Sequence, residues 1–173
     1  MNGTRSVRTR PRNGLAITDL LTAALLSELC RPSEELWIVS GWITDIPVLD
    51  NRHRQYDAVL GSVARSSLLF TEVLAEIAAR DSHIHVAVRQ VDHNTRFLSR
   101  LKDRIAPARL SVYGSPDLHE KMMVGENWVM KGSMNFTWNG VQQNEESIDF
   151  QFDKAEAAHQ RLEVRTRWIE ARS

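Results

Sequence analysis

The sequence predicts a single α/β domain with a mixed β-sheet sandwiched between helices. Three observations carry this. Apolar helical stretches alternate with short β-branched runs in the first two thirds of the chain. A hairpin pattern, Lys121–Val124 and Trp128–Lys131 around Gly125-Glu126-Asn127, comes late. Hydrophobic residues make up 42% and charged residues 25% of the 173 positions, which is ordinary globular usage and excludes a disordered, collagen-like or disulfide-scaffold chain.

Taken in order, residues 1–13 hold Arg5, Arg8, Arg10 and Arg12 without an acid, which predicts a flexible arm ahead of a domain over 14–173. Leu21, Leu25 and Leu29 recur at spacing four, which predicts a helix from about Thr18 to Cys30, stopped at Arg31-Pro32-Ser33. Cys30 reads as a buried thiol at that helix end. Leu36-Trp37-Ile38-Val39 is a buried strand reaching toward Ile43, and Gly41 inside it signals a bulge or a close backbone approach. Asp45–Asp57 is polar and reads as a long loop. Leu69, Val73 and Ile77 give a helix over about Ser66–Arg80. Ile84–Val88 is strand-like, Asn94 is placed to cap a short helix carrying Phe97, Leu98 and Leu101, and Arg109–Tyr113 is a further strand. After the hairpin, Ser147–Phe152 alternates as a strand. Lys154–Ile169 reads as a closing helix with Ala158, Leu162 and Ile169 inward.

Charge narrows the partners. The formal net charge is zero, so no global field draws the chain to nucleic acid or lipid. Locally, residues 80–109 carry seven bases against Asp81, Asp92 and Asp103, which is either an ordinary solvated face or a strip able to meet phosphates. No apolar run approaches the roughly 20 residues of a membrane span, and the Arg-rich start lacks a signal-peptide h-region. With a lone cysteine, the expectation is a cytoplasmic protein with no membrane partner.

The chemistry is concentrated in one stretch. His119-Glu120-Lys121 is followed, after ten residues, by Gly132-Ser133-Met134-Asn135, and then by Asn144-Glu145-Glu146. A histidine and a lysine two apart on a strand share a face, so an imidazole and an ammonium stand together. The Gly-Ser turn brings Asn135 and backbone N–H groups toward the same end. Such a cluster suits a phosphoryl group: Lys121 and Asn135 hold its non-bridging oxygens while imidazole attacks phosphorus or moves a proton.

This pattern resembles the phospholipase D superfamily and its HKD motif over Leu118–Phe152. The resemblance implies an α-β-α fold of that superfamily, catalysis by His119, Lys121, Asn135 and Glu146, and substrate contacts from Ser133, Asn144 and Trp138. Glu146 would accept the second imidazole N–H and keep the ring nucleophilic. The superfamily reaction uses two histidines and no metal or cofactor. With one motif in a short chain, the sequence is similar to the small bacterial nucleases of the family, which implies a homodimer with His119 of each copy facing one phosphodiester and a phosphohistidine intermediate. Two departures stand out. The motif's Asp falls on Glu126 counted from Lys121 but on Gly125 counted back from Gly132, because the hairpin is one residue short.

Three functions follow in order. The first is a nuclease or phosphodiesterase acting on nucleic acid. The second is a non-cleaving phosphate- or DNA-binding subunit in a DNA-modification or defence complex. Here the phrase Trp37–Asp45 resembles the small phospholipase D-like DpdK proteins that accompany 7-deazaguanine DNA modification, which would make other proteins of such a system its partners. The third is a lipid or small-phosphodiester hydrolase. Among the remaining candidates, His83, His85 and His93 lack the carboxylate or thiol that would complete a zinc site. Trp138 and Phe136 flank the Gly-Ser turn, with core packing expected for Phe136. Asp45 and Asp50 either reach the site or serve as turn residues.

Overall fold

The structure is a computed structural model that describes residues 17–137, 140 and 147–171, with residues 3–9, 146 and 172 as backbone. Its centre is a seven-stranded sheet in the order β1-β9-β8-β7-β2-β5-β6. Three strands are parallel neighbours: β2 (Glu35–Ser40), β5 (His83–Arg89) and β6 (Leu110–Ser115). The connections between them carry α3 (Phe70–Ala79) and α4 (Thr95–Arg104). The other half is antiparallel. β7 (Met122–Val124) pairs with β2 and with β8 (Trp128–Gly132), and β8 pairs with β9 (Glu146–Phe152). The sequence-predicted hairpin is therefore present, with Met122 opposite Lys131.

Each sheet face has its own core, as the two-residue period of strands requires. Leu36, Ile38, Ile84, Val86, Met123 and Ile148 pack under α1 (Ile17–Cys30), α3 and α4. Trp37, Val39, Ala87, Met122, Val124 and Val129 pack under α5 (Lys154–Trp168). The mixed sheet between helices is thus as expected. Among the described residues no helix is long and apolar enough to cross a membrane.

Several local expectations are corrected. Within the expected arm, Gly3–Thr9 is β1, an edge strand paired antiparallel with β9. Its short Thr/Ser/Val alternation was outweighed by its arginines. The expected loop over Asp45–Asp57 contains β3 (Pro47–Asp50), which pairs with β4 (Ser67–Leu69) in a separate ribbon. The first turn of the expected second helix is therefore strand. The chain between them is held by buried Asn51, which donates to Asp57 Oδ1 at 2.8 Å and to the Arg65 carbonyl at 3.1 Å and accepts Tyr56 N–H at 2.9 Å. On α5 the inward residues are Ala157, Gln160, Val164 and Trp168, whereas Ala158 is exposed and Leu162 is 60% exposed. Cys30 is exposed, because α1 turns its last residue outward.

The core under α5 holds an ionisable group. His85 stacks on Trp37 with ring centroids 4.1 Å apart, and its Nδ1 lies 3.3 Å from the Tyr113 hydroxyl. Burial, followed by the charges of His83 and Arg165, lowers its pKa to about 3, although Glu35 lies 3.8 Å from Nε2. An unfolded imidazole titrates near 6.5. Between these values the unfolded chain binds a proton that the folded chain refuses, so this group's effect is absent above about pH 6.5 and destabilises progressively below it. Urea midpoints are expected to fall between pH 6.5 and 4, by at most about 1.4 kcal/mol per pH unit from this one group. His85→Phe is expected to flatten that slope. An equal slope in the variant would locate the acid sensitivity elsewhere.

Candidate active site

Strand direction gathers the candidate residues at one end of the sheet. β2, β5 and β6 end there, β7 and β9 begin there, and β8 ends there. His119 and Lys121 lie just ahead of β7. Only Lys121 continues the ladder, its carbonyl accepting Gly132 N–H at 3.2 Å. His119 stands before the strand and is exposed, so the expected shared strand face is not what joins the pair. Instead the Lys121 ammonium folds back to donate to the His119 carbonyl. A bound phosphate oxygen would compete for the same ammonium protons.

Gly132, Ser133 and Asn135 follow β8 to the same end. A Cβ on Gly132 would stand 2.0 Å from the Ser147 carbonyl oxygen, a backbone atom that cannot swing aside. Gly132→Ala is therefore expected to prise β8 from β9 and lower stability by about 3 kcal/mol or more, read as a shifted urea midpoint. A change below about 0.5 kcal/mol would contradict this close approach. Ser133 extends the β9 pairing beyond the strand: its N–H donates to the Ser147 carbonyl and its Oγ accepts Ser147 N–H, each at 3.1 Å. Asn135 is half-buried, and its Oδ1 accepts Trp42 N–H at 3.2 Å, which orients the amide.

The loop after β2 closes the floor. Gly41 makes the predicted close approach, since a Cβ there would lie 3.2 Å from the Leu118 carbonyl oxygen and 3.5 Å from Asn135 Oδ1. Ile43 forms a parallel bridge with Phe136, Thr44 N–H donates to the Phe136 carbonyl at 2.8 Å, and Phe136 is buried as core, as expected. Glu146 is the first residue of β9, opposite Thr9 of β1, which places its backbone at the same sheet end. Asn144 and Trp138 lie outside the described residues.

Two polar residues that sequence reading did not assign to the site hold it together. Asn94 was expected to cap α4, but its side chain makes no cap bond. It is 1% exposed, accepts Ile43 N–H at 2.9 Å and donates to the carbonyls of Gly41 at 2.9 Å and Arg89 at 2.8 Å. Buried Ser40 donates to the Trp42 carbonyl at 2.7 Å. In the sequence Ser40 is a polar residue closing an apolar strand and Asn94 a polar residue ahead of a helical pattern.

The altered hairpin has a structural explanation. A Cβ at Gly125 would sit 2.5 Å from Glu28 Oε1 and 2.4 Å from Trp128 Nε1. The space of a side chain there is filled by the Glu28 carboxylate from α1, which accepts Ser33 N–H and Oγ–H at 2.8 Å each and Trp128 Nε1–H at 2.7 Å. Burial pushes the Glu28 carboxyl above its ordinary range despite these three donors. Ser33 Oγ in turn accepts Glu126 N–H at 2.6 Å, so the turn is anchored to the end of α1.

The remaining candidates go elsewhere. Asp45 accepts Thr71 N–H at 2.9 Å and pairs with Arg100 at 2.8 Å, tying the β2 loop to α3 and α4. Asp50 pairs with Arg52, whose guanidinium lowers the carboxyl to about 2. His83 and His85 are neighbours, with ring centroids 4.4 Å apart, but among the described residues no group of three or more His, Cys, Asp or Glu is placed to hold a metal.

Comparison with known proteins agrees with this fold. A family model described as cardiolipin synthase, PLD-like domain, matches residues 54–168. The chain superposes on NucT from Helicobacter pylori with a TM-score of 0.66 at 12% identity, covering 98% of this chain and 97% of that one. Nuc from Salmonella typhimurium, a phospholipase D family member, gives 0.60 at 10% identity over 94% and 91%. Phosphatidylserine synthase from Haemophilus influenzae gives 0.61 at 9% identity over 96% of this chain but 38% of that one. At such identities the likeness is one of fold. No curated protein sequence matches the chain.

Proposed function

The chain belongs to the phospholipase D-like domain family, and on that premise we propose that it is a metal-independent phosphodiesterase of the nuclease type, working through a phosphohistidine on His119 in a site shared by two copies. The observation that carries this reading is the convergence of His119, Lys121, Ser133 and Asn135 on one end of the sheet.

In the proposed reaction, Lys121 and the Asn135 amide N–H groups hold the non-bridging oxygens as charge builds on them. An imidazole nitrogen of His119 attacks phosphorus, and the P–O bond to the leaving group breaks. The departing oxygen takes a proton from the second copy's imidazolium. Water then attacks phosphorus and gives its proton to that imidazole, and the P–N bond breaks to restore His119. Atoms and charges balance without an added reagent. In this reading the second imidazole is His119 of a second copy, since the 173 residues carry one His-x-Lys motif. The exposed position of His119 supports access from a second copy across a two-fold axis. Glu146, at the start of β9, would orient the nucleophilic ring.

The test offers bis-p-nitrophenyl phosphate, single-stranded and duplex DNA, RNA and phosphatidylcholine, each with EDTA, alongside sedimentation. Turnover in EDTA, an acid-labile phosphorylated protein and a dimer are the expected results. DNA binding without turnover of any substrate would favour a non-cleaving subunit of a DNA-modification or defence assembly. Turnover of phosphatidylcholine alone would favour a lipid hydrolase.

A further inference from the structure

Trp42 is unlike the other described tryptophans. Trp37, Trp128 and Trp168 are buried, whereas Trp42 is 37% exposed. An exposed indole on a loop is usually free to turn inward, yet four backbone groups around this one are held. Its N–H is held by Asn135 and its carbonyl by Ser40. The carbonyl before it and the N–H after it are both held by Asn94. The remaining Asn94 donor holds the Arg89 carbonyl, so one buried amide sets the positions of both Trp42 and Arg89. The Arg89 guanidinium lies 5.5 Å from the Trp42 ring centroid, and its Nε donates to the Pro116 carbonyl at 2.9 Å. Beyond it, a groove of about 440 Å³ runs past the ends of β5 and β6 and the start of α4, lined by Arg89, Gln90, Asp92, Thr95 and Tyr113.

We infer that Trp42 and Arg89 form a strand-binding step beside the reaction centre: an unpaired nucleobase next to the scissile phosphate stacks on the Trp42 indole, and Arg89 meets the neighbouring phosphate. The inference deepens the proposed function and rests on it for the position of that phosphate. The link between the two is a hydrogen bond, since Asn135 both belongs to the phosphate cluster and accepts the Trp42 N–H. A partly exposed indole on a held backbone, with a guanidinium over its ring, is a pairing suited to single strands, because stacking is available to any base outside a duplex. A phosphocholine headgroup has no aromatic ring to place there. The groove past Arg89 gives the strand a continuing path.

The inference is tested by binding, in the His119→Ala background so that the strand stays intact. Fluorescence anisotropy compares a labelled 12-mer of thymidine nucleotides with a labelled 12-mer of the same charge made of abasic nucleotides. The parent is expected to prefer the base-bearing strand by about tenfold or more, as one stacked base allows. Adding Trp42→Ala is expected to bring that preference below about threefold, whereas Trp42→Phe keeps most of it. Arg89→Gln is expected to weaken both strands together and to reduce the salt dependence by about one counterion. A merely structural role for Trp42 would weaken both strands alike and leave the ratio unchanged. An unchanged ratio in Trp42→Ala, a parent indifferent to bases, or no binding of either strand overturns the inference. Failure of the unsubstituted protein to hydrolyse any substrate would overturn the catalytic reading instead, and the binding ratio reports independently of it.

Discussion

His119→Ala is expected to lower turnover of bis-p-nitrophenyl phosphate by about 10⁴-fold or more, the scale seen when a covalent nucleophile is removed. The same atom position serves twice in the proposed reaction, as nucleophile in one copy and as acid in the other, so a single substitution removes both groups from the dimer. Lys121→Ala removes only charge stabilisation and is expected to cost about 10²–10³-fold. The shared site also predicts how mixtures behave. When wild-type and His119→Ala chains are exchanged at equal amounts, only about a quarter of the random dimers keep both histidines. Activity per wild-type chain should then fall to about half. A strictly linear dependence on wild-type chain would mean that each copy works alone, and residual turnover within tenfold of wild type would remove His119 from the chemistry.

Asn94→Asp is expected to be strongly destabilising. Replacing Nδ2 by oxygen sets a carboxylate against the Gly41 and Arg89 carbonyls, where two donors stood. The site is buried, so water cannot repair the mismatch. A loss of about 3 kcal/mol follows from unsatisfied buried groups, which lowers the melting temperature of a chain this size by roughly 6–12 °C. The loop carrying Trp42 loses its anchor at the same time, so strand binding should weaken even where the protein remains folded. Thermal denaturation and the anisotropy assay check the two effects separately. A variant that melts with the wild type would show that the bracket around Trp42 is not set by Asn94.

Two features that spacing along the chain does not show have a common cause. Asn94 before a helical pattern is a reasonable cap by local rules, but a buried amide satisfies whatever backbone groups surround it, and here those belong to the loops after β2 and β5. Gly125 looks like the loss of a motif carboxylate, yet Glu28, almost a hundred positions earlier, occupies the space. Neither partner can be inferred from spacing along the chain, because loop closure brings distant segments together with little dependence on their separation. The face of α5 failed for a simpler reason. Leu162 and Val164 each fit a helical stripe, and only the sheet beneath selects Val164.

What the sequence determined on its own was the order of helices and strands, the hairpin after Lys121, the close approach at Gly41 and the spacing of His119, Lys121, Ser133 and Asn135. These are local consequences of side-chain period, turn chemistry and motif spacing, each written within a few residues. Tertiary structure alone decided that β1 and the β3–β4 ribbon exist, that Asn94 and Ser40 lock the floor of the site, and that an indole and a guanidinium meet beside it. The physical reason is that buried polar groups and edge strands take their partners from whatever the folded chain brings near, and that proximity is a property of the packed sheet rather than of any segment read by itself.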